Sequence, residues 1–184
     1  LSAMFRCTAE LGRSDNLEEF SRRLLNDLIL ITGADWFILR LMLPGGQQLL
    51  AVASSERGPR LEPQPLRPPP QHAPSIERQA ALSGADLQFG PSQGLLPDDP
   101  IHRFKPDSVG LVHPFFFGET LIGTLAIGRS HGESPFTLEQ TEVIHTFGEF
   151  LAIQVVNTRL QDERLQLRLV SRELEIARDI PRAL

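Results

Sequence analysis

The sequence predicts an α+β fold ending in a long C-terminal helix, and three observations carry that prediction. Two segments read as β-hairpins, Trp36 to Ser54 and Val109 to Gly128. Helical periodicity precedes the first hairpin and returns in a short segment between the two. From Leu138 to about Ile180 the chain then runs without proline and with Gly148 as its sole glycine, long enough for a helix that outruns a compact domain.

The elements follow in order. Asp15 is a good N-cap, with Glu18 at the third helical position, and Leu17, Phe20, Leu24, Leu28 and Ile31 make one apolar stripe on a helix that stops near Gly33. A strand from Trp36 to Leu43, a turn at Pro44-Gly45-Gly46 and a strand from Leu49 to Ser54 form the first hairpin. Between Gly58 and Pro74 lie seven of the fifteen prolines. Proline neither donates to a ladder nor continues a helix, so this segment reads as an extended surface loop inserted between elements. Ser75 caps a short helix to Ser83, and Asp86 to Phe89 reads as a short strand. The Gly90 to Ser108 segment is rich in Gly, Pro and Asp and has room for one helical turn at Ile101 to Phe104.

The second hairpin joins Val109–Phe117 to Leu121–Gly128 through Gly118-Glu119. On its first arm Leu111, His113, Phe115 and Phe117 share one face, and Val112, Pro114 and Phe116 the other. Thr137 and Gln140 form a capping-box pattern that opens the long helix. Val143, Ile144, Phe147, Phe150, Leu151, Ile153, Val155 and Val156 give its first half apolar residues on several faces, which predicts packing on the domain. Beyond that the pattern narrows to Val156, Leu160, Leu167, Val170, Leu174 and Ala177 at alternating heptad positions, with Glu163 as the polar exception. Such a coiled-coil seam is too thin to pack on its own domain and too apolar to stay alone in water.

Composition narrows the function. The 184 residues are 41% hydrophobic and 22% charged, which suits one core-forming domain with extensions. A net charge of −5 without a basic run argues against nucleic acid or an anionic membrane surface as partner. No apolar stretch approaches the roughly 20 residues that span a bilayer. Cys7 is the single cysteine, which removes intrachain disulfides and cysteine-rich metal sites and fits a reducing, cytoplasmic location. Starting at Leu1 and stopping inside a continuing pattern at Leu184, the chain is expected to be a piece of a longer protein.

Leu111 to Asn157 carries the strongest likeness to a known family. Val112-His113-Pro114-Phe115, Gly118, Leu121-Ile122-Gly123-Thr124-Leu125, Pro135-Phe136-Thr137 and the apolar helix to Asn157 resemble the usual run of a GAF domain, and Leu17 to Leu43 resembles its opening helix and first strand. The resemblance implies a central antiparallel sheet flanked by helices, a small-molecule pocket on one sheet face and a helical dimer interface on the other. It divides the chain into a sensory domain over 1–157 and a linker helix over 158–184. Within the tail, Arg172 to Ile180 followed by Arg182-Ala183-Leu184 resembles the lead-in to SpoIIE-like PPM-type serine/threonine phosphatases, with Pro181 where glutamine is usual. The acidic residues that hold manganese or magnesium in that family lie downstream, so no cofactor and no phosphatase activity is expected in this chain.

Motifs of the ligand-binding branches are missing. Cyclic-nucleotide binders carry Asn-Lys-x-x-Phe, whereas Asn16, Asn26 and Asn157 stand apart from Lys105, the single lysine. Covalent bilin attachment needs a cysteine near the pocket, and Cys7 precedes the first core helix. The histidines at 72, 102, 113, 131 and 145 lack the i, i+4 spacing of a helical metal site, so no metal site is read from them. His113, mid-strand among aromatic residues, is the candidate to hydrogen-bond a ligand or ligate haem; its competing role is a core histidine satisfied by backbone. His72, His102 and His131 read as loop surface and His145 as a helix residue. Trp36, Phe89, Phe104, Phe115 and Phe117 are the candidate walls of the pocket, with core packing as the competing role. The expected pocket lies on the face bearing Trp36 and the aromatic residues of Leu111 to Phe117, closed by the Gly90 to Ser108 loop.

These readings converge on a non-catalytic regulatory module, expected to be a homodimer with an unidentified small molecule as possible ligand. Its exit helix would pass a signal to a downstream phosphatase. A ligand-free dimerisation or spacer module is the rival from another class, and a cyclase or histidine kinase is the rival output.

Overall fold

The computed structural model describes residues 15–56, 61–67, 71–130 and 136–179. Cys7, the Pro68–Pro70 run, His131, Pro135 and the tail from Ile180 to Leu184 lie outside the described residues. The elements are α1 (Asp15–Thr32), β1 (Trp36–Met42), β2 (Gln48–Ser54), β3 (Gln64–Pro65), α2 (Ile76–Ser83), β4 (Leu87–Phe89), α3 (Pro100–Phe104), β5 (Val109–Phe117), β6 (Thr120–Arg129) and α4 (Leu138–Asp179). Six strands form one antiparallel sheet in the order β3-β2-β1-β6-β5-β4. This is the expected α+β architecture, a central sheet flanked by helices with a long C-terminal helix.

Alternation along β1 assigns the two sides. Phe37, Leu39 and Leu41 face a core shared with Phe20, Leu24, Leu25 and Leu28 of α1 and Ile144, Phe147, Leu151 and Val155 of α4. Trp36 and Ile38 face a second core built with Ile76 and Ala80 of α2, Phe89 and Ile101. A fully buried Leu such as Leu25 or Leu28 contributes about 1.5–3 kcal/mol, so the first core carries most of the apolar stabilisation.

Local signals are realised as expected at several caps. Thr137 N–H donates to Gln140 Oε1 at 2.9 Å and Gln140 N–H to Thr137 Oγ1 at 3.2 Å, a reciprocal capping box. Ser75 Oγ accepts from Arg78 N–H at 3.2 Å, and Asp99, which the sequence did not single out, caps α3 through Ile101 N–H at 2.9 Å. Gly118 turns the second hairpin with φ of 61°, a left-handed conformation that disfavours side chains. Pro114 is tolerated inside β5 because β4 pairs only as far as Val112, leaving no neighbour there to need its missing N–H.

Three expectations are corrected. Ile31 is 58% exposed, because the buried stripe of α1 passes through Leu28 to Thr32 at the next helical step. Ile153 is 45% exposed rather than packed on the domain, and it extends the distal seam by one position before Val156. The proline-rich segment is more than a surface loop: Gln64–Pro65 pairs with Gln48 and Leu49 at the sheet edge, and Gln64 is buried.

Candidate functional site

Trp36, Phe89 and Phe104 come together on the α2–α3 side. The indole is fully buried, 5.9 Å from the Phe89 ring and 5.8 Å from the Phe104 ring, which meets it edge-on. Leu95, Ile101 and Phe104 of the 90–108 segment pack against this core. Gly128 of β6 makes room for it, since a Cβ there would lie 2.6 Å from Trp36 Cζ2.

Phe115, Phe117 and His113 stand elsewhere, for a reason of register. Trp36 pairs with Gly128, and Gly128 pairs with Gly110. Residues 110 and 112 therefore share the face of Trp36, while 111, 113 and 115 face the helices α1 and α4. Phe115 joins the α1–α4 core, and Phe117, beyond a bulge at Phe115/Phe116, is 50% exposed at the hairpin end. The six candidate pocket residues thus fall on two sides of the sheet.

Sequence reasoning missed a buried polar layer beside Trp36. Arg40 continues the face of Trp36 and Ile38, and its Nε donates to Glu77 Oε1 of α2 at 2.9 Å with both side chains fully buried. Arg40 Nη1 donates to Glu62 O at 3.0 Å, Gln64 Nε2 to Glu77 Oε2 at 2.8 Å, and Ser75 Oγ to Gln64 Oε1 at 2.5 Å. Arg40 Nη2, Thr124 Oγ1 and Trp36 Nε1 are buried without a hydrogen-bond partner among the described residues. Burial first, then the charge of Arg40, lowers the pKa of Arg78 below its ordinary value. A cleft of about 360 Å³ opens outside this layer, lined by Leu61, Gln64, Arg78, Arg103 and Phe104 among others. With one aromatic wall, aliphatic carbons and Glu62, Arg78 and Arg103 all in its lining, it suits a small polar or charged molecule.

A second cluster sits across the sheet. Asp86 lies between Gly84, the left-handed C-cap of α2, and β4. Its Oδ1 is 2.6 Å from His113 Nδ1 on β5, and its Oδ2 bonds His145 Nε2 on α4. The two imidazoles stack with centroids 4.4 Å apart. Burial alone would raise the pKa of Asp86, but the hydrogen bonds from His113 and His145 outweigh it and leave it below its ordinary value. His113 therefore has side-chain partners in place of the expected backbone or ligand contact. Asp86 and His145 escaped the sequence reading because Asp86 lies 27 residues from His113 and 59 from His145 in the chain, beyond any local spacing rule.

Burial along α4 ends at Thr158, and Arg159 Nη2 donates to Met42 O at 2.5 Å as the helix leaves the domain. Beyond it Leu160, Leu167, Val170 and Leu174 are 46–69% exposed, and Ala177 is exposed, whereas Val156 is partly buried against the first core. Among the described residues no helix is long and apolar enough to cross a membrane.

A family model described as "GAF domain" matches residues 16–155. Solved structures share the fold at low identity. The GAF domain/HD domain protein of Geobacter sulfurreducens is 17% identical, covering 83% of this chain and 98% of its own, with a TM-score of 0.63. The GAF domain of an Acinetobacter phosphoenolpyruvate-protein phosphotransferase is 14% identical, covering 87% and 94%, with a TM-score of 0.62. That of a two-component sensor histidine kinase from Bacillus halodurans is 17% identical, covering 75% and 95%, with a TM-score of 0.57. No curated protein sequence matches the chain.

Proposed function

Because the chain belongs to the GAF domain family, a family of regulatory sensor modules, we propose that it is the input module of a larger signalling protein, coupled to its output through α4. One observation carries this reading. α4 is a single unbroken helix of 42 residues whose first half lies in the core and whose second half projects with an exposed apolar seam. A rigid element shared between core and exit transmits any displacement at the sheet to whatever follows, without an intervening hinge. The loss of burial along α4 beyond Thr158 supports a division into a domain over 1–157 and a linker helix over 158–184.

The output is a SpoIIE-like serine/threonine phosphatase, supported by the sequence of the tail from Arg172 onward. Manganese or magnesium belongs to that output and not to this domain. The chain itself performs no hydrolysis. The ligand, a small polar or charged molecule, binds in the cleft beside Phe104, Gln64 and Arg78. The module works as a parallel homodimer in the cytoplasm, with the seams of two α4 helices in contact.

A disulfide test addresses the arrangement. In a Cys7→Ser background, Ala177→Cys places one thiol at a seam position. A parallel dimer sets that residue opposite its own copy, so mild oxidation yields a covalent dimer. A wild-type-like yield of monomer would remove the parallel arrangement.

One observation favours a second reading, the ligand-free spacer. Trp36 and Phe89 fill the expected pocket with their own rings, 5.9 Å apart and both buried.

A further inference from the structure

We infer that Asp86, His113 and His145 form a binding site for a divalent transition metal ion, zinc by the chemistry of the donors, held between the sheet edge and α4. One nitrogen of each imidazole and one carboxylate oxygen lie within 4.8 Å of one another. Tetrahedral zinc with bonds of 2.0–2.2 Å spaces neighbouring ligand atoms by roughly 3.3–3.6 Å. Asp86 Oδ1 and His113 Nδ1, 2.6 Å apart, reach that spacing by separating about 0.7–1.0 Å.

The donor set narrows the ion. Two imidazoles and a carboxylate suit zinc, cobalt, nickel, iron(II) and copper(II), among which zinc is redox-inert and readily tetrahedral; calcium and magnesium prefer oxygen alone, and the cluster offers no thiolate for copper(I). Asp86 has no Arg or Lys partner among the described residues, so its charge is available to a cation. On binding, the ion takes the place of the two N–H protons that Asp86 accepts, and each neutral ring carries its proton on the other nitrogen. His145 is 43% exposed, which gives the ion access and leaves a fourth position for water.

Gly148 shows that the site is built into the helix. A Cβ at this position would lie 2.7 Å from His113 Cδ2 and 2.8 Å from its Nε2. Glycine weakens a helix interior relative to alanine, and here the space it leaves seats the imidazole that faces Asp86. The ion would bind α4 to β5 and to the start of β4 on the side of the sheet opposite the cleft. That bound ion acts as an input to the exit helix only if the coupling through α4 holds; the binding site does not depend on it.

The test uses cobalt(II) as the probe, followed by visible absorption, with zinc displacement measured by calorimetry on the 184-residue chain freed of metal by chelation. One cobalt per chain with a ligand-field band of a low-coordinate nitrogen–oxygen site is expected, and zinc should abolish it. Changes outside the ligand shell cost about 10–100-fold in affinity, so Asp86→Ala and His145→Ala should each weaken binding at least about a hundredfold. Gly148→Ala keeps every ligand and favours the helix, yet displaces His113, and should weaken it about tenfold or more. His72→Ala and His102→Ala should bind as wild type. No cobalt band, undiminished binding in His145→Ala, or one ion shared by two chains would overturn the proposal. His145 is a partly exposed helix residue whose alanine variant keeps the fold, and a thermal melt in chelator checks this. Failure of the covalent-dimer test at Ala177 would leave the site standing.

Discussion

Arg40 of β1 and Glu77 of α2 form an ion pair at 2.9 Å with both side chains fully buried, and Gln64 of β3 holds the second carboxylate oxygen at 2.8 Å. The pair therefore ties three separate elements to one another across the α2 side of the sheet. Removing one partner leaves the other charged in a medium that cannot solvate it. Glu77→Ala is expected to cost about 3–5 kcal/mol. The double variant Arg40→Met/Glu77→Leu should regain part of that, because two apolar side chains of similar volume need no partner, although buried Gln64 Nε2 loses its acceptor. Urea titrations of the two variants make the comparison. A double variant as unstable as Glu77→Ala would show that shape, not charge, makes the pair necessary.

What the sequence made legible was local. The capping box of Thr137 and Gln140, the cap at Ser75 and both hairpins are decided within a few residues, and each appears in the structure. Register between distant strands is not local. Nothing near Trp36 or Phe115 in the chain says that Trp36 pairs with Gly128 and so turns Phe115 to the opposite face. The strand at Gln64–Pro65 was hidden because prolines mark a loop, while an edge position asks less of their missing N–H. Asp86 and His145 were hidden by distance. A faint signal existed: His145 and Gly148 stand three residues apart on one face of a helix, within the mostly apolar stretch from Val143 to Val156.

The Asp86 cluster makes stability depend on pH. Its folded pKa is lowered, so the unfolded chain binds the proton more tightly. The stabilisation is fully present above the ordinary aspartate value of about 4 and is lost as pH falls through the lower folded value. In chelator, Asp86→Asn is expected to be less stable than wild type by about 1–2 kcal/mol near neutrality. The difference should shrink toward zero once acid protonates the wild-type carboxyl. A gap that persists unchanged into strong acid would mean the asparagine acts through packing instead.

Trp36 is the single tryptophan and is fully buried between Phe89 and Phe104, which makes it a reporter for one side of the sheet. A small molecule in the cleft touches Phe104 and should shift or quench its emission. Zinc at Asp86, His113 and His145 acts on the other face and should leave the emission unchanged. Fluorescence titrations with small anions against zinc separate the two sites. If no anion alters the emission while each still binds by calorimetry, the cleft is not the ligand site.

The distal half of α4 yields the last prediction. At 1.5 Å per residue the 42-residue helix is about 63 Å long, far beyond the domain it packs on. Ile153, Val156, Leu160, Leu167, Val170, Leu174 and Ala177 follow steps of three and four, interrupted at Glu163. Leu165, Leu169 and Ile176 are equally exposed but lie off that line. A partner on the seam would bury Leu167 twice in a symmetric dimer, once from each chain. With about 1.5–3 kcal/mol per buried leucine, Leu167→Asp should weaken association by at least ~3 kcal/mol, over a hundredfold in Kd. Leu165→Asp introduces the same charge outside the seam and should change association little. Glu163 at a seam position limits how tight the wild-type dimer is, because two carboxylates then face each other across the axis. Sedimentation equilibrium at micromolar concentration decides the matter. A monomeric wild type would remove the dimer, and equal losses in Leu167→Asp and Leu165→Asp would remove the seam as its cause.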